Sequence, residues 1–179
     1  YPLSHSFSEK YFAEKFVKEG LTDCTYKLFS IATIGELKKV LSQQNLCGLN
    51  VTIPYKEQVL SFLDDADEVV QKIKACNCID IRNGKLKGYN TDVVGFERSL
   101  KEYLKPHHTK ALILGTGGAA KAVEFVLRKL DIAVKYVSRK PSVNNYSYEE
   151  LTPSVLSDYT LIINTTPLGM YPAINEAPP

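Results

Sequence analysis

The sequence predicts an α/β fold in two parts, an N-terminal α/β domain followed by a doubly wound domain with a parallel sheet. In the first part, apolar β-branched runs alternate with helical patterns. From Lys110 onward, short and nearly all-apolar runs alternate with helices, as in a parallel sheet covered on both faces. The polar segment "KPHHTK", residues 105–110, separates the parts and contains Pro106. We therefore expect one domain over residues 1–105 and a second over residues 106–179.

The first domain is predicted to begin with a helix and a strand. Either Ser6 or Ser8 can cap the helix, and Gly20 can end it. The apolar face of this helix consists of Phe12, Ala13, Phe16 and Val17. The run "CTYKLFSI", residues 24–31, then predicts a strand.

A second helix and strand follow, and then a longer helix. Thr33 and Glu36 form a capping-box pattern for a helix that carries Leu37, Val40 and Leu41. The run "LCGLNVTI", residues 46–53, predicts a strand. The run "VLSFLDDADEVVQKI", residues 59–73, predicts one helical stretch after Lys56.

A hairpin and a helix complete the first domain. In "CIDIRNGKLKGYN", residues 78–90, Asn83-Gly84 lies between alternating residues, which is a strong signal for a two-residue turn. A helix is expected from about Asp92 to Leu104.

The second domain is predicted to be one βαβαβ half of a doubly wound fold. Its strands are "ALILG", "AVKYVSR" and "TLIINTT", which start at residues 111, 133 and 160. The helix between the first two strands is "GGAAKAVEFVLRKL", and a weaker helix is expected around "YEELTPSVL".

Composition and charge narrow the class of protein. The formal charge of +2 comes from 22 basic and 20 acidic residues spread along the chain, so neither nucleic acid nor a membrane surface is an expected partner. No apolar run is long enough to span a bilayer and no export signal is visible, so we expect a soluble, cytoplasmic protein. The spacing of the four cysteines and three histidines predicts no metal site and reduced cysteines in core and strands. A loop-like start and an end just after an apolar strand lead us to expect native residues before Tyr1 and after Pro179.

A glycine loop lies between the first strand and helix of the second domain. "GTGGAA", residues 115–120, matches G-x-G-x-x-[GA], in which Gly115 permits a tight turn and Gly117 lets the backbone approach a pyrophosphate. The helix start offers free N–H groups to the phosphates. In this Rossmann-like context the predicted cofactor contacts are Gly115, Thr116, Gly117, Gly118 and Ala119. The alternative is a tight turn without a ligand.

Two further strand ends are predicted to complete the cofactor site. After the second strand, an NAD site usually offers Asp or Glu to the ribose, whereas this chain has Ser138-Arg139-Lys140. Arg139 can grip a 2′-phosphate and Lys140 adds charge, so the predicted cofactor is NADP(H). The third strand ends in Asn164-Thr165-Thr166, at the sheet edge where ligands of open α/β sheets bind. A plain strand end with a Pro-Gly turn is the alternative there.

The first domain offers small polar groups at strand ends and loops. They lie in "SHSFS", "NVTIPYK", "KACNC" and "GYNTD". Ser, Thr and Asn are residue types that recognise the hydroxyls of a small polyol acid, and a Lys with an Asp can transfer a proton. Each stretch alone could equally serve as a cap or turn. In particular, Lys56 could be a solvated lysine and Asp92 a helix N-cap.

Taken together, these stretches resemble the successive signature segments of the shikimate dehydrogenase family. The segments are "PLSHSFS", "NVTIPYKE", "ACN", "GYNTDVVGF", "GTGGAAKA" and "NTTPLGM", in the family's order and over nearly the whole chain. The resemblance implies a substrate domain followed by a Rossmann-like NADP-binding domain, acting as a monomer or homodimer. It also implies an oxidoreductase that reversibly reduces 3-dehydroshikimate to shikimate, in the biosynthesis of chorismate and aromatic amino acids.

The resemblance also implies roles for individual residues. Ser6 and Ser8 correspond to serines that bind the substrate carboxylate. Lys56 and Asp92 correspond to the catalytic pair, and Lys56 also touches substrate. The residues that match hydroxyl ligands are Asn50, Thr52, Asn77 and Asp92.

The chain departs from the family pattern in several places. Glu9 stands where proline is usual, Lys74 where glycine is usual, and Cys78 where threonine is usual. The family continues beyond the third strand of the second domain to a final helix that supplies a substrate glutamine. Two alternatives remain, a quinate/shikimate dehydrogenase and a catalytically silent NADP-binding regulatory module.

Overall fold

The computed structural model of the chain contains two four-stranded sheets with helices packed against them. It describes residues 3, 6–140, 142, 144–170 and 174–179. Pro2, Ser4 and His5 of the segment "PLSHSFS" lie outside the described residues. All strands of the first sheet lie before residue 90, and all strands of the second lie after residue 109. Strands and helices alternate in both parts of the chain. The predicted α/β class is confirmed.

The first sheet has the strand order β1-β3-β4-β2. Its strands are β1 (Gly48–Asn50), β2 (Asp65–Ala66), β3 (Cys78–Arg82) and β4 (Lys85–Tyr89). The predicted hairpin joins β3 to β4, and both turn residues, Asn83 and Gly84, have positive φ values of 52° and 74°. Two positive φ values are what a hairpin turn that follows the strand twist requires.

Residues 24–31 do not form the predicted strand. β1 is at the edge of its sheet and pairs only with β3, and a groove of about 620 Å³ lies between β1 and residues 24–31. A strand is defined by its hydrogen-bonded neighbour, and no described strand pairs with this segment. A β-type composition is therefore present without a strand ladder.

The predicted helix over residues 59–73 is also wrong as one element. The chain instead makes a 3₁₀ turn (Gln58–Phe62), then β2, then helix α3 (Glu68–Ile73). Asp64 Oδ2 accepts from Leu86 N at 2.8 Å, and Asp67 caps α3 by accepting from Val70 N at 2.7 Å. Short acidic side chains that bind backbone amides in this way interrupt helices.

The remaining helices of the first part are short or partly exposed. Helix α1 (Phe7–Lys18) begins after Ser6 as predicted, but none of its residues is buried. Its expected apolar face is only partly covered, because Val17 is 83% exposed while Phe12 stacks on Tyr26 with ring centroids 4.8 Å apart. The Glu36 carboxylate accepts from Thr33 N at 3.1 Å, and a 3₁₀ turn (Ile34–Glu36) leads into α2 (Leu37–Leu41).

The second sheet has the order β7-β6-β5-β8, and all its pairings are parallel. Its strands are β5 (Lys110–Leu114), β6 (Ala133–Val137), β7 (Asn145–Tyr146) and β8 (Leu161–Asn164). Helix α5 (Gly118–Lys129) crosses from β5 to β6, and α6 (Pro153–Asp158) precedes β8. The doubly wound half is therefore confirmed, while β7 was not predicted and α6 begins later than expected because Thr152 caps it.

The two parts share a packed apolar cluster. Ile73, Ala75 and Val93 of the first part pack with Ala122 and Val126 of α5. Helix α4 (Thr91–Lys101) lies beside α5 at this contact. This cluster places the start of α5, and with it the glycine loop, beside the polar groups of the first part.

The cysteines meet the expectation in part. Cys76 is buried and Cys78 half-buried, but Cys24 and Cys47 are exposed, so only two of the four fill the core or strands. All four thiols are free. Across the ranges that the structure describes, no helix has the length and apolar character needed to cross a membrane.

Candidate active site

Lys56, which follows β1, and Asp92, in the first turn of α4, form an ion pair within the first part of the chain. The Nζ atom of Lys56 lies 2.7 Å from Oδ2 of Asp92, and the side chains are 16% and 39% exposed. Lys56 reaches this position because the chain turns directly after β1, where Tyr55 N donates to Thr52 O at 2.9 Å. Its carbonyl oxygen is fixed by Cys76 N at 2.8 Å. The sequence motif ending in Lys56 thus delivers an ammonium to a half-buried carboxylate.

The carboxylate of Asp92 is positioned by the first turn of α4. Asn90, not Asp92, is the N-cap of this helix, and it accepts from Val93 N at 3.3 Å. Asn90 is 3% exposed and donates to the carbonyl oxygen of Ala75 at 2.9 Å. The alternative in which Asp92 caps the helix is therefore wrong. Asp92 lies within the first turn, where the helix dipole favours its negative charge.

Asn77 connects Asp92 to the same helix start. Its amide donates to Asp92 Oδ1 at 2.8 Å and to the Thr91 hydroxyl at 2.9 Å. The side-chain oxygen Oδ1 of Asn77 accepts from Thr91 N at 2.8 Å. Both carboxylate oxygens of Asp92 therefore have a partner, and the position of the carboxylate is fixed from two sides.

The other predicted substrate residues are not joined to this group by hydrogen bonds among the described residues. Asn50, at the end of β1, donates to the Tyr26 hydroxyl at 3.1 Å. Thr52 is exposed in the turn before Lys56. Ser6 occupies the N-cap position of α1 without a capping side-chain hydrogen bond, and Ser8 lies in the first turn of α1.

The glycine loop fits a dinucleotide phosphate in its backbone geometry. Gly115 has φ of 101°, a conformation that side chains rarely adopt, and an added Cβ would lie 3.1 Å from Thr165 Oγ1. Gly117 is the N-cap of α5, an added Cβ there would meet nothing within 4 Å, and no side chain caps the helix. The loop is thus open above the α5 N-terminus, where N–H groups and the dipole favour an anion.

The start of α5 lies directly against Lys56. A Cβ added at Gly118 would lie 3.8 Å from the Cβ of Lys56 and 3.9 Å from that of Ala75. The glycine loop and the Lys56–Asp92 pair are therefore adjacent, as a cofactor and a proton-transfer group must be in a dehydrogenase.

The carboxyl ends of β6 and β8 lie at the same edge of the second sheet as the glycine loop, because both strands are parallel to β5. Arg139 and Lys140 are exposed after β6, and Lys140 N donates to Ser138 Oγ at 3.2 Å. Thr165 donates its hydroxyl to Leu114 O at 2.7 Å, beside Gly115. Asn164 accepts from Thr166 N at 2.9 Å and thereby closes a turn after β8.

Two cysteines, Cys76 and Cys78, flank Asn77 in the chain. Burial raises the pKa of the Cys76 thiol, which donates to Cys78 O at 3.3 Å. Burial, with a smaller effect of Asp80, raises the pKa of Cys78 as well. Neither thiol is a nucleophile at neutral pH. In the described part of the chain, no group of His, Cys, Asp and Glu side chains is arranged to hold a metal ion.

Sequence reasoning missed three contributors to the site. Asn90 could have been found, because Asn is among the residues preferred at an N-cap and Asn90 directly precedes the predicted helix. Thr91 and Tyr26 could not, because their roles depend on contacts with Asn77 and Asn50 across 14 and 24 residues of chain.

Comparisons with known proteins give a consistent result. The family model described as the shikimate dehydrogenase substrate-binding domain matches residues 1–79. A curated protein of Methanosphaera stadtmanae named shikimate dehydrogenase (NADP(+)) is 35% identical over an alignment that covers 100% of this chain and 70% of that protein. One of the same name from Clostridium beijerinckii is 39% identical over 98% of this chain and 68% of its own length. A crystal structure of a shikimate dehydrogenase in complex with NADP⁺ matches 99% of this chain and 68% of its own, with a TM-score of 0.84 and 32% identity.

Proposed function

Because the chain belongs to the shikimate dehydrogenase family, we propose that it catalyses the reversible, NADP(H)-dependent reduction of 3-dehydroshikimate to shikimate. This reaction serves the biosynthesis of chorismate and aromatic amino acids. The observation that carries the proposal is the 2.7 Å Lys56–Asp92 pair directly beside the start of α5. A proton-transfer pair and a dinucleotide loop must share one cleft for such a reaction.

Lys56 is the proton-transfer group in this proposal. The nicotinamide, when bound, supplies the hydride for the ring carbonyl carbon. The carbonyl oxygen then needs a proton, which the Lys56 ammonium can donate, and in the reverse direction the Lys56 amine can accept it. Asp92 Oδ2 orients the ammonium and Asn77 fixes the other oxygen of the carboxylate.

The remaining polar residues of the first part bind the substrate. Asn50, Thr52 and Asn77, together with Asp92 and Lys56, take the ring hydroxyls, and Ser6 and Ser8 take the carboxylate. The exposure of Asn50 at the end of β1 and of Thr52 after it supports this assignment, because a substrate can reach both side chains. Residues 1–105 are accordingly the substrate-binding and catalytic domain.

The residues of the second part fit NADP(H). Thr116, Gly117, Gly118 and Ala119 present backbone N–H groups to the pyrophosphate, since the loop is open and uncapped. Gly115 contributes the tight turn, and its own N–H donates to Val137 O at 2.9 Å. Arg139 and Lys140 are exposed cations at the end of β6, and with Ser138 they hold the 2′-phosphate. Asn164, Thr165 and Thr166 line the nicotinamide side. Residues 106–179 are accordingly the NADP-binding domain.

The test is turnover of the complete purified protein with each pairing of shikimate or quinate with NADP⁺ or NAD⁺, followed by NADPH or NADH absorbance. We expect rapid turnover with shikimate and NADP⁺ and much slower turnover with the other three pairs. Preference for quinate with NAD⁺ would point to the quinate/shikimate alternative. Absence of turnover with every pair, despite measurable NADPH binding, would contradict the proposal and favour the silent module.

Location and assembly form part of the same proposal. We place the protein in the cytoplasm, as a monomer or homodimer. Cell fractionation tests the location, and light scattering during size-exclusion chromatography tests the assembly.

A further inference from the structure

Next to the Lys56–Asp92 pair, the ion pair of Glu57 with Lys121 joins the first part of the chain to the second. The ammonium of Lys121 lies 2.8 Å from Oε1 of Glu57, with the side chains 34% and 50% exposed. Glu57 directly follows Lys56, and Lys121 is in the first turn of α5, where its N–H donates to the carbonyl of Gly117 at 3.3 Å. The pair therefore connects the residue after the proton-transfer group to the helix turn that carries the glycine loop.

Contacts around the Glu57–Lys121 ion pair link the position of Lys56 to the position of the α5 start. The space beside Gly118 is closed by the side chains of Lys56 and Ala75, at 3.8–3.9 Å from a Cβ built there. The Lys56 carbonyl is fixed to Cys76 N. A shift of the α5 start relative to Glu57 would therefore change the distance from the Lys56 ammonium to whatever the glycine loop holds.

We propose that the Glu57–Lys121 ion pair is a positioning contact, which sets the distance between the Lys56 ammonium and the nicotinamide and so controls the hydride-transfer step. The inference rests on the proposed function. Neither residue touches the reacting atoms in this proposal, since both act through the placement of Lys56 and the glycine loop.

Helix α5 provides a matched control at its other end. Lys129 lies 2.8 Å from Oε2 of Glu97 on α4, so it also joins the two parts, but about three helical turns from the end of α5 that follows the glycine loop. Lys129→Gln removes a cross-connection of the same type from the same helix. A general effect of weakened contact between the parts would appear in this variant as well.

The experiment measures single-turnover hydride transfer and NADPH affinity in the complete protein. The variants are Glu57→Gln, Lys121→Gln, their double variant, the exchange Glu57→Lys with Lys121→Glu, and Lys129→Gln. A partly exposed ion pair is weak, so we expect each single change to slow hydride transfer about two- to fivefold. The double variant should be no slower than either single one, the exchange should restore most of the rate, and Lys129→Gln should leave it unchanged.

Several outcomes would overturn the inference while leaving the proposed function intact. Equal slowing by Lys129→Gln would mean a general contact between the parts. Independent, multiplying effects of the two single changes would mean that the residues do not act as a pair. Weaker NADPH binding in Lys121→Gln but not in Glu57→Gln would make Lys121 a cofactor ligand instead. A wild-type protein without turnover would overturn the proposed function, and with it this inference.

Discussion

The glycine loop offers a pair of matched substitutions, Gly115→Ala and Gly117→Ala, that separate folding from cofactor binding. At Gly115, φ is 101°, and the new Cβ would lie 3.1, 3.2 and 3.4 Å from atoms of Thr165 and Thr166. Backbone strain of this kind costs about 1–3 kcal/mol, and crowding of a packed site adds to it. We therefore expect Gly115→Ala to lower the free energy of unfolding by about 2–4 kcal/mol.

At Gly117 the same substitution meets open space. The residue has φ of −80° and nothing lies within 4 Å of an added Cβ. We expect the free energy of unfolding to change by no more than about 1 kcal/mol, the size of an ordinary N-cap effect. The added methyl group would nevertheless stand where the pyrophosphate must approach the backbone, so NADPH should bind at least about tenfold more weakly.

Urea denaturation gives the stability of both variants, and NADPH fluorescence gives the affinity. The expected pattern is loss of stability only in Gly115→Ala and loss of affinity in both. An unchanged urea midpoint for Gly115→Ala would refute the geometry of the loop. Unchanged NADPH affinity in a stable Gly117→Ala would refute its role as the phosphate site.

Three further predictions concern Arg139 after β6, Lys74 with its positive φ, and Glu97 of α4. Arg139→Ala should weaken NADPH binding about tenfold or more and NADH binding little, because only NADPH carries the 2′-phosphate; equal losses in parallel titrations would exclude that contact. Lys74 has φ of 54° where the family usually has glycine, so Lys74→Gly should stabilise the fold by about 0.5–1 kcal/mol in urea, and a lower midpoint would count against strain there. Hydrogen bonds from Lys101 and then Lys129 lower the pKa of Glu97 from 4.5 to about 2, so its stabilising effect is present above pH 4.5 and is lost as the pH falls through about 2. Glu97→Gln should therefore be less stable than wild type at neutral pH and equal to it below that range, and a constant difference at all pH values would contradict this account.

Local signals predicted the second part of the chain better than the first. The strand–loop–helix pattern around the glycine loop is encoded by neighbouring residues, and β5, α5, β6 and β8 lie where the sequence placed them. In the first part, residues 24–31 have strand composition but no described strand beside them, and helix-forming residues 59–73 are divided by aspartates that bind backbone amides. The missing partner of residues 24–31 and the Asp64–Leu86 contact depend on tertiary structure, which periodicity does not report. The Asp67 cap is a local signal that the helical pattern of residues 59–73 obscured.

The site shows the same division. The Lys56–Asp92 pair was expected from resemblance, and the structure brings the two side chains together across 36 residues of chain. Asn90 and Asp92 are both residue types that cap helices, so the local rule offered two candidates two residues apart. In the structure Asn90 is the cap of α4. The contacts of Tyr26 with Asn50 and of Lys121 with Glu57 depend on tertiary packing alone.

The most direct test of the central claim is the single-turnover rate of hydride transfer in Lys56→Ala, measured beside the NADPH dissociation constant of the same variant. Loss of a positioned proton donor should slow the step by about a hundredfold to ten-thousandfold while NADPH affinity stays close to that of the wild type. A Lys56→Ala protein that transfers hydride at near wild-type rate would contradict the assignment of the Lys56–Asp92 pair as the proton-transfer site.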